Sequence, residues 1–105
     1  MVNNNSKMHR TNGIVRAWME KNSFNDIHFF PHSRYQKDLS FQTLSFDGLA
    51  SVGNTLVLFQ CKTNRRAAKK LLEIYQEVSE RFNIKCIYFN YINLKGLEVN
   101  NQCAK

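Results

Sequence analysis

Hydrophobic positions along the chain fall into blocks with either helical or strand-like spacing. Apolar residues recur at helical intervals over about 7–21 and again over a block that ends near Phe82, and these predict two helices. The β-branched and aromatic runs predict strands at 26–30, 45–52, 55–62 and 84–92. The order α-β-β-β-α-β predicts a single α/β domain over 1–105, with a mixed sheet flanked by helices on both faces.

The remaining segments are assigned as connections and ends. Pro31 ends the first strand because proline cannot donate to a strand ladder. The polar segment 32–38 is predicted to be a loop, and 39–44 could add a strand segment before the hairpin. Residues 1–6 and about 97–105 are candidates for disorder.

The second helix has predicted ends as well as a predicted centre. Arg65 and Arg66 are expected to open it, with Thr63 or Asn64 as the N-cap. Asn83 fits the position that follows the last turn.

Two of the strand-like runs are separated only by Gly53-Asn54, a pair typical of a two-residue hairpin turn. The register that this turn imposes places Asp47 directly opposite Gln60, with Cβ atoms roughly 5 Å apart. Alternation along the strand then places Lys62 on the same face as Gln60. The opposite face is predicted to carry Phe46, Gly48, Ala50, Val52, Val57, Phe59 and Cys61.

The three polar residues support two interpretations. The oxygens of Asp47 and Gln60 are hard ligands suited to Mg²⁺, and Lys62 can hold a phosphate oxygen or orient a water. Alternatively, Asp47 and Lys62 form a buried ion pair, with Gln60 hydrogen-bonded beside it. The geometry predicted from the register favours neither.

The net positive charge of the chain indicates the kind of partner that it binds. A net charge of +7 on 105 residues indicates a polyanionic partner, most often nucleic acid, although a basic surface alone also occurs without one. No apolar run is long enough to span a membrane, so no membrane partner is expected.

The cysteines and histidines indicate a reducing cellular compartment and do not indicate a metal site. The three cysteines have no CxxC spacing, and those in apolar runs are interpreted as buried hydrophobes of a reducing, cytoplasmic (intracellular) protein. The three histidines have no cysteine partners at ligand spacing, which argues against a zinc site.

Asp47 on the second strand and Gln60-x-Lys62 on the third resemble the PD-(D/E)xK nuclease superfamily. The segment Phe59-Gln60-Cys61-Lys62-Thr63 looks most like Mrr-type restriction nucleases and archaeal Holliday-junction-resolvase-like proteins. Phe30-Pro31-His32-Ser33-Arg34, followed by Asp47-Gly48-Leu49-Ala50, is similar to the resolvase arrangement. The resemblance covers about 9–92 and implies a restriction-endonuclease-like fold.

The resemblance also implies an activity. The protein would be a Mg²⁺-dependent endonuclease that hydrolyses DNA phosphodiester bonds, either Holliday-junction-resolving or restriction-like, with Mn²⁺ as a substitute metal. Asp47, the Gln60 side-chain oxygen and the Cys61 backbone carbonyl would hold the metal. Lys62 would orient the water or stabilise the charge that develops on the phosphate.

The chain departs from the family pattern at several positions. Phe46 stands where proline is common, and Gln60 is an amide where a carboxylate is usual. Many members carry a glutamate in the first helix, near Asn12 of this chain, whereas Glu20 lies more than a turn further on. Glu73 on the second helix could replace it, although its neighbours favour a solvated ion pair. These departures leave open a catalytically weak or inactive nucleic-acid-binding domain on the same fold.

Basic and polar residues around the predicted site are expected to contact duplex or branched DNA: Arg10, His32, Ser33, Arg34, Lys37, Arg65 and Arg66. Cutting both strands of a duplex needs two sites, so we expect a homodimer. A third hypothesis is a small α/β assembly or RNA-binding protein in which the contact between Asp47 and Lys62 is structural.

Overall fold

The structure is a computed structural model that describes residues 4–30 and 46–103, and these form a five-stranded mixed sheet with two helices. The elements are α1 (Asn4–Lys21), β1 (Asn25–Phe29), β2 (Gly48–Val52), β3 (Thr55–Thr63), α2 (Lys69–Phe82), β4 (Lys85–Ile92) and β5 (Gly96–Cys103). The strands lie in chain order; β3 and β4 are parallel, and the other neighbouring pairs are antiparallel. The predicted α/β class is confirmed, whereas the loop 32–38 and the strand segment 39–44 lie outside the described residues.

The hairpin formed by β2 and β3 has the predicted register from Val52 to Gly48, whereas the predicted pair of Asp47 and Gln60 is not part of the ladder, because the Asp47 N–H bonds the Phe59 carbonyl. Val52 pairs with Thr55 and Gly48 pairs with Phe59. Gly53 takes a positive φ of 58°, which suits the first position of a two-residue hairpin turn. A Cβ at Gly48 would come within 2.5 Å of the Phe59 ring and closer still to the His28 carbonyl oxygen, so β1 approaches β2 where only glycine fits.

Each face of the sheet is covered by one helix. On one face α1 contributes Val15 and Met19 to a buried cluster that includes Phe24, which follows the helix. The rest of this cluster comes from the three central strands: Ala50, Val57, Phe59, Cys61, Ile87 and Phe89. On the other face α2 contributes Tyr75, which packs with Cys86 and Tyr88. Because both faces are buried, the central strands are apolar on both sides.

Phe46 lies on the other face from the one predicted. It packs against the α2 cluster, and its ring stacks on Tyr75 with 5.0 Å between centroids. The reason is a departure from the ladder at Asp47, whose N–H donates to the Phe59 carbonyl at 2.7 Å although Gly48 is already the partner of Phe59. Two residues therefore face one, as in a β-bulge, and the alternation is reset before Gly48.

The helices differ from the prediction at their beginnings. α1 begins at Asn4, so the described part of the segment 1–6 is helical rather than disordered. α2 begins at Lys69, which means that Arg65 and Arg66 precede the helix instead of opening it. Its N-cap is Ala68 without a side-chain hydrogen bond, so neither predicted N-cap residue serves as one.

The carboxyl-terminal part of the chain also differs from the prediction. Gly96–Cys103 forms β5, an antiparallel edge strand against β4, where disorder was considered. Asn83 caps the end of α2 in the left-handed conformation, as predicted. Among the described residues, neither helix has the length and apolar character that crossing a membrane requires.

Candidate functional site

Asp47, Gln60 and Lys62 lie near the point where β3 and β4 end. Because these strands are parallel, their carboxyl ends meet at one edge of the sheet, where Lys62 pairs with Asn90 and Thr63 with Tyr91. We call this region, residues 60–66 and 88–95 together with the adjoining Asp47, the carboxyl edge. It contains the end of β3, the start of the connection to α2, and the turn that joins β4 to β5.

Asp47 lies directly before β2, and its side chain extends to the carboxyl edge. Its Oδ2 accepts a hydrogen bond from the backbone N–H of Cys61 at 2.7 Å. Its backbone carbonyl accepts from the N–H of Phe30, also at 2.7 Å, which ties it to the residue that follows β1. A carboxylate that accepts from a backbone N–H forms one of the stronger hydrogen bonds, so the position of this side chain against the Gln60–Cys61 segment is well defined.

Gln60 is buried on the face covered by α2, with 4% of its surface exposed. The Tyr75 hydroxyl of α2 donates to Gln60 Oε1 at 2.5 Å. Burial, followed by nearby negative charge that includes Asp47, raises the pKa of Tyr75, so its hydroxyl stays protonated and remains a donor at neutral pH. The predicted metal-binding oxygen is therefore oriented by α2, and an amide oxygen has a second lone pair.

Cys61 turns its thiol away from the site, into the cluster beneath α1. Burial raises the pKa of this thiol, the Asp47 charge raises it further, and Lys62 opposes both. The thiol stays neutral at physiological pH and is a structural apolar group. The backbone of Cys61 contacts Asp47 through its N–H, and the role predicted for its carbonyl as a metal ligand stays a prediction.

Lys62 lies beside two polar residues that the sequence interpretation missed. It is half-buried and lies opposite Asn90 of β4, which in turn lies opposite Glu98 of β5. Directly opposed residues share a face, so Lys62, Asn90 and Glu98 form a row across three strands. Glu98 could not be placed from the sequence because β5 was not predicted, and Asn90 was hidden within an apolar run.

Arg65 has an exposed side chain on a backbone that β4 holds on both sides. Its N–H donates to Asn90 Oδ1 at 2.9 Å, and its carbonyl accepts from the Tyr88 hydroxyl at 2.7 Å. Asn90 is only 1% exposed, and its Nδ2 has no hydrogen-bond partner within the described ranges. The two bonds fix the start of the Arg65 side chain while leaving the guanidinium accessible.

The preceding residue is held in the same way. Asn64 has a left-handed φ of 53°, and its N–H donates to the Tyr91 carbonyl at 2.8 Å. Its Oδ1 accepts from the backbone N–H of Asn93 at 2.9 Å, which joins the connection after β3 to the turn after β4. These bonds explain why α2 starts late, since the backbone at Asn64 and Arg65 is committed to β4.

The structure brings part of the predicted DNA-contact set together. The Arg10 guanidinium lies 5.8 Å from the centroid of the Tyr91 ring, at the carboxyl edge on the α1 side. The hydroxyls of Thr11 and Thr63, 2.6 Å apart, join this part of α1 to the end of β3. Arg65 and the adjacent Arg66 are exposed. The other predicted contacts, His32, Ser33, Arg34 and Lys37, lie outside the described residues.

Carboxylates are scarce around Asp47. Within 4–30 and 46–103, no three His, Cys, Asp or Glu side chains come together as a metal-binding group. Asn12, near the position where many PD-(D/E)xK members carry a glutamate, is half-buried and its Oδ1 has no hydrogen-bond partner in the described segments. Glu20 and Glu73 are exposed. A metal here would depend on Asp47, neutral oxygens and water.

Comparison with known proteins adds no assignment to this geometry. No protein-family model matches the chain, and a search of the curated proteins returns no match.

Proposed function

We propose that the protein is a Mg²⁺-dependent endonuclease that binds DNA along the carboxyl edge and hydrolyses a phosphodiester bond beside Asp47 and Lys62. The observation that carries the proposal is the anchoring of the Asp47 carboxylate on the Cys61 N–H, next to Gln60, at the edge where cationic side chains gather. Further support comes from the element order, which is the order expected for a restriction-endonuclease-like fold and ends in one additional strand.

The donor atoms at this edge suit a hard cation. Asp47 supplies a carboxylate, Gln60 an amide oxygen and Cys61 a backbone carbonyl, and Mg²⁺ commonly binds one or two carboxylates while water and substrate phosphate complete its shell. When bound, the ion would polarise a phosphate oxygen and acidify a water. Among the described donors every candidate ligand atom is oxygen, which favours Mg²⁺ or Mn²⁺ over zinc.

The side chains of the protein have distinct tasks in this proposal. Lys62 places a compact positive charge where the phosphate gains negative charge during attack. Tyr75 orients Gln60 through its hydroxyl, and Asn90 with Tyr88 hold the backbone from which Arg65 reaches a neighbouring phosphate. Removing one such preorganised group typically lowers the rate of the catalysed reaction by a factor of about 10²–10³.

The first experiment measures nicking of supercoiled plasmid and of a synthetic four-way junction in the presence of Mg²⁺. We expect Asp47→Ala and Lys62→Ala to reduce the rate by about 10² or more, with folding checked by circular dichroism. Lys21→Ala is the matched control, because Lys21 is an exposed lysine at the far end of α1 and should leave the rate unchanged. Full activity in Lys62→Ala, or activity that survives excess EDTA, would refute the catalytic assignment.

The second experiment measures DNA binding against salt without divalent ions. If about six side chains contact phosphates, the slope of log affinity against log salt should be near −5. Arg65→Ala should make this slope shallower by about 1, while Lys21→Ala leaves it unchanged. A slope near zero would exclude nucleic acid as the partner.

A second candidate function is binding of nucleic acid without efficient cleavage. It is favoured by the hydrogen bond that already occupies Gln60 Oε1 and by the lack of a three-residue metal group among the described residues. Steep salt dependence with no nicking in Mg²⁺ or Mn²⁺ would support it. Gln60→Glu separates the two candidates: an active enzyme should keep or gain activity, whereas a binding domain should stay inactive.

A homodimer on DNA is part of the first candidate function. Two antiparallel strands present two scissile phosphates related by a twofold axis, and a small domain reaches both as a pair. Light scattering of the DNA complex should give two protein chains per duplex or junction. One chain per DNA at saturation would argue against paired cleavage.

A further inference from the structure

Leu94 is an apolar side chain that the fold leaves in water. Three large hydrophobic side chains of the described residues are exposed, and Leu94 is the most exposed at 105%, against 64% for Phe82 and 44% for Leu56. Complete exposure of a leucine gains nothing for folding, because the stabilising effect of an apolar side chain comes from its burial. A role outside the folded core would account for it.

The position of Leu94 links it to the candidate site. It lies in the turn between β4 and β5, and the neighbouring Asn93 donates its N–H to Asn64 Oδ1, immediately before Arg65. Lys95 follows it directly. The other two exposed side chains, Leu56 near the start of β3 and Phe82 at the end of α2, lie at the opposite end of the sheet.

The turn holds Leu94 in a defined place. The Lys95 N–H donates to the Ile92 carbonyl at 3.0 Å, and Ile92 pairs with Gly96 across the hairpin. Leu94 has a φ of 68°, a left-handed conformation that costs a leucine roughly 1–2 kcal/mol and that glycine or asparagine adopts more easily. Leucine therefore occupies position 94 although its left-handed backbone conformation favours glycine or asparagine.

We propose that Leu94 is a wedge that inserts between bases of the bound DNA where stacking is already interrupted, as at the centre of a branch. The inference rests on the proposed function, since it needs DNA on the carboxyl edge. Apolar side chains, leucine among them, are the groups with which proteins separate base steps. Two exposed cationic residues belong to the same region: Lys95 follows Leu94 directly, and Arg65 follows Asn64, whose side chain bonds to the turn. In this proposal they hold the phosphates that flank the opened step.

The preference of the Leu94 wedge for one kind of DNA follows from the free energy needed to separate the stacked bases. Separating stacked bases costs a few kcal/mol in a continuous duplex and least where a base is already unpaired or unstacked. Leu94 should therefore favour branched over continuous DNA, while the cations bind both through phosphate. This assigns the choice of DNA architecture to the turn after β4 and general affinity to the charged residues.

The test uses a four-way junction with 2-aminopurine at a central base, and a continuous duplex with the same label, in EDTA and without divalent ions. Fluorescence reports unstacking, and anisotropy reports affinity. Wild type should brighten the junction label severalfold. Leu94→Asn, which suits the left-handed backbone, should abolish the increase and weaken junction binding about tenfold, with duplex affinity and salt slope unchanged.

Two control variants separate the wedge from charge and from general apolarity. Lys95→Ala should make the salt slope shallower by about 1 and keep the fluorescence increase. Leu56→Asn, at the far end of the sheet, should match wild type in both measurements. Light scattering of each variant without DNA shows whether the oligomeric state has changed.

The outcomes distinguish the wedge from the function on which it rests. Salt-dependent junction binding by wild type without a fluorescence increase, or wild-type behaviour of Leu94→Asn, overturns the wedge and leaves DNA binding intact. Loss of a dimer in Leu94→Asn without DNA also overturns it, because Leu94 would then contact a second protein copy. Absence of salt-dependent DNA binding by wild type overturns both.

Discussion

Replacing Tyr75 with phenylalanine removes a single hydroxyl from the interior of the candidate site. That hydroxyl donates to Gln60 Oε1 at 2.5 Å, and both residues are buried. The phenylalanine ring can keep the stacked contact with Phe46, in which the ring planes are 25° apart. The change therefore tests the hydrogen bond with little change in packing.

The expected loss follows from the state of Gln60 in the variant. Its amide oxygen would remain buried without the donor from α2, and an unsatisfied buried polar group costs about 1–3 kcal/mol. We expect Tyr75→Phe to lower the free energy of unfolding by about 2 kcal/mol, with a fall in Tm of roughly 10 °C for a domain of this size. Urea denaturation followed by circular dichroism measures it, and the m-value should not change.

A double-mutant cycle isolates the hydrogen bond from other effects. Gln60→Leu removes the Gln60 acceptor of the Tyr75 hydroxyl, while the double variant removes both members of this hydrogen bond and should cost clearly less than the sum of the single losses. Tyr91→Phe is the control, because the Tyr91 hydroxyl makes no hydrogen bond within the described residues. A loss below about 0.5 kcal/mol for Tyr75→Phe, or additive losses in the cycle, would refute the assignment of Tyr75 as the group that orients Gln60.

Two further predictions concern the fold around the site. Gly48→Ala would push a methyl group against the His28 carbonyl, and we expect a loss of about 1–3 kcal/mol in urea denaturation. Gly13→Ala in α1, where an added Cβ meets nothing within 4 Å, should instead stabilise the protein by up to about 1 kcal/mol. Equal changes in the free energy of unfolding for the two glycine variants would contradict the steric argument. Burial raises the pKa of the Cys61 and Cys86 thiols above their ordinary value, so the folded state keeps protons that the unfolded state releases. The free energy of unfolding should be constant below about pH 8 and should fall above it by up to about 1.4 kcal/mol per pH unit for each thiol. The fall should be less steep in Cys61→Ala. A free energy of unfolding that stays constant up to about pH 10 would contradict this prediction.

Local patterns were sufficient for much of the fold. The Gly53-Asn54 turn and the alternation on either side of it predicted the β2–β3 register, which the structure confirms from Val52 to Gly48. A two-residue turn leaves few registers open, and a one-residue slip would exchange the buried faces of both strands. The parallel pairing of β3 and β4 followed from the helix between them.

The elements that were missed depend on partners distant in sequence. β5 contains Asn100, Asn101 and Gln102, which have little strand preference, and its backbone bonds with β4 stabilise it. The start of α2 was misplaced because Asn90 takes the Arg65 N–H, a bond across 25 positions that no local pattern indicates. The reset of alternation at Asp47 likewise depends on bonds to Phe59.

The amino-acid pattern alone was enough to place Asp47, Gln60 and Lys62 at one end of one hairpin, because a tight turn and an alternation of period two are local properties. The hydrogen-bond partners of those side chains depend instead on how distant elements pack together. Tyr75 reaches Gln60 because α2 packs back over the sheet, and Glu98 joins the row of Lys62 through two strand pairings. Such contacts depend on how separate elements pack, and their energy is available only when the whole sheet has formed.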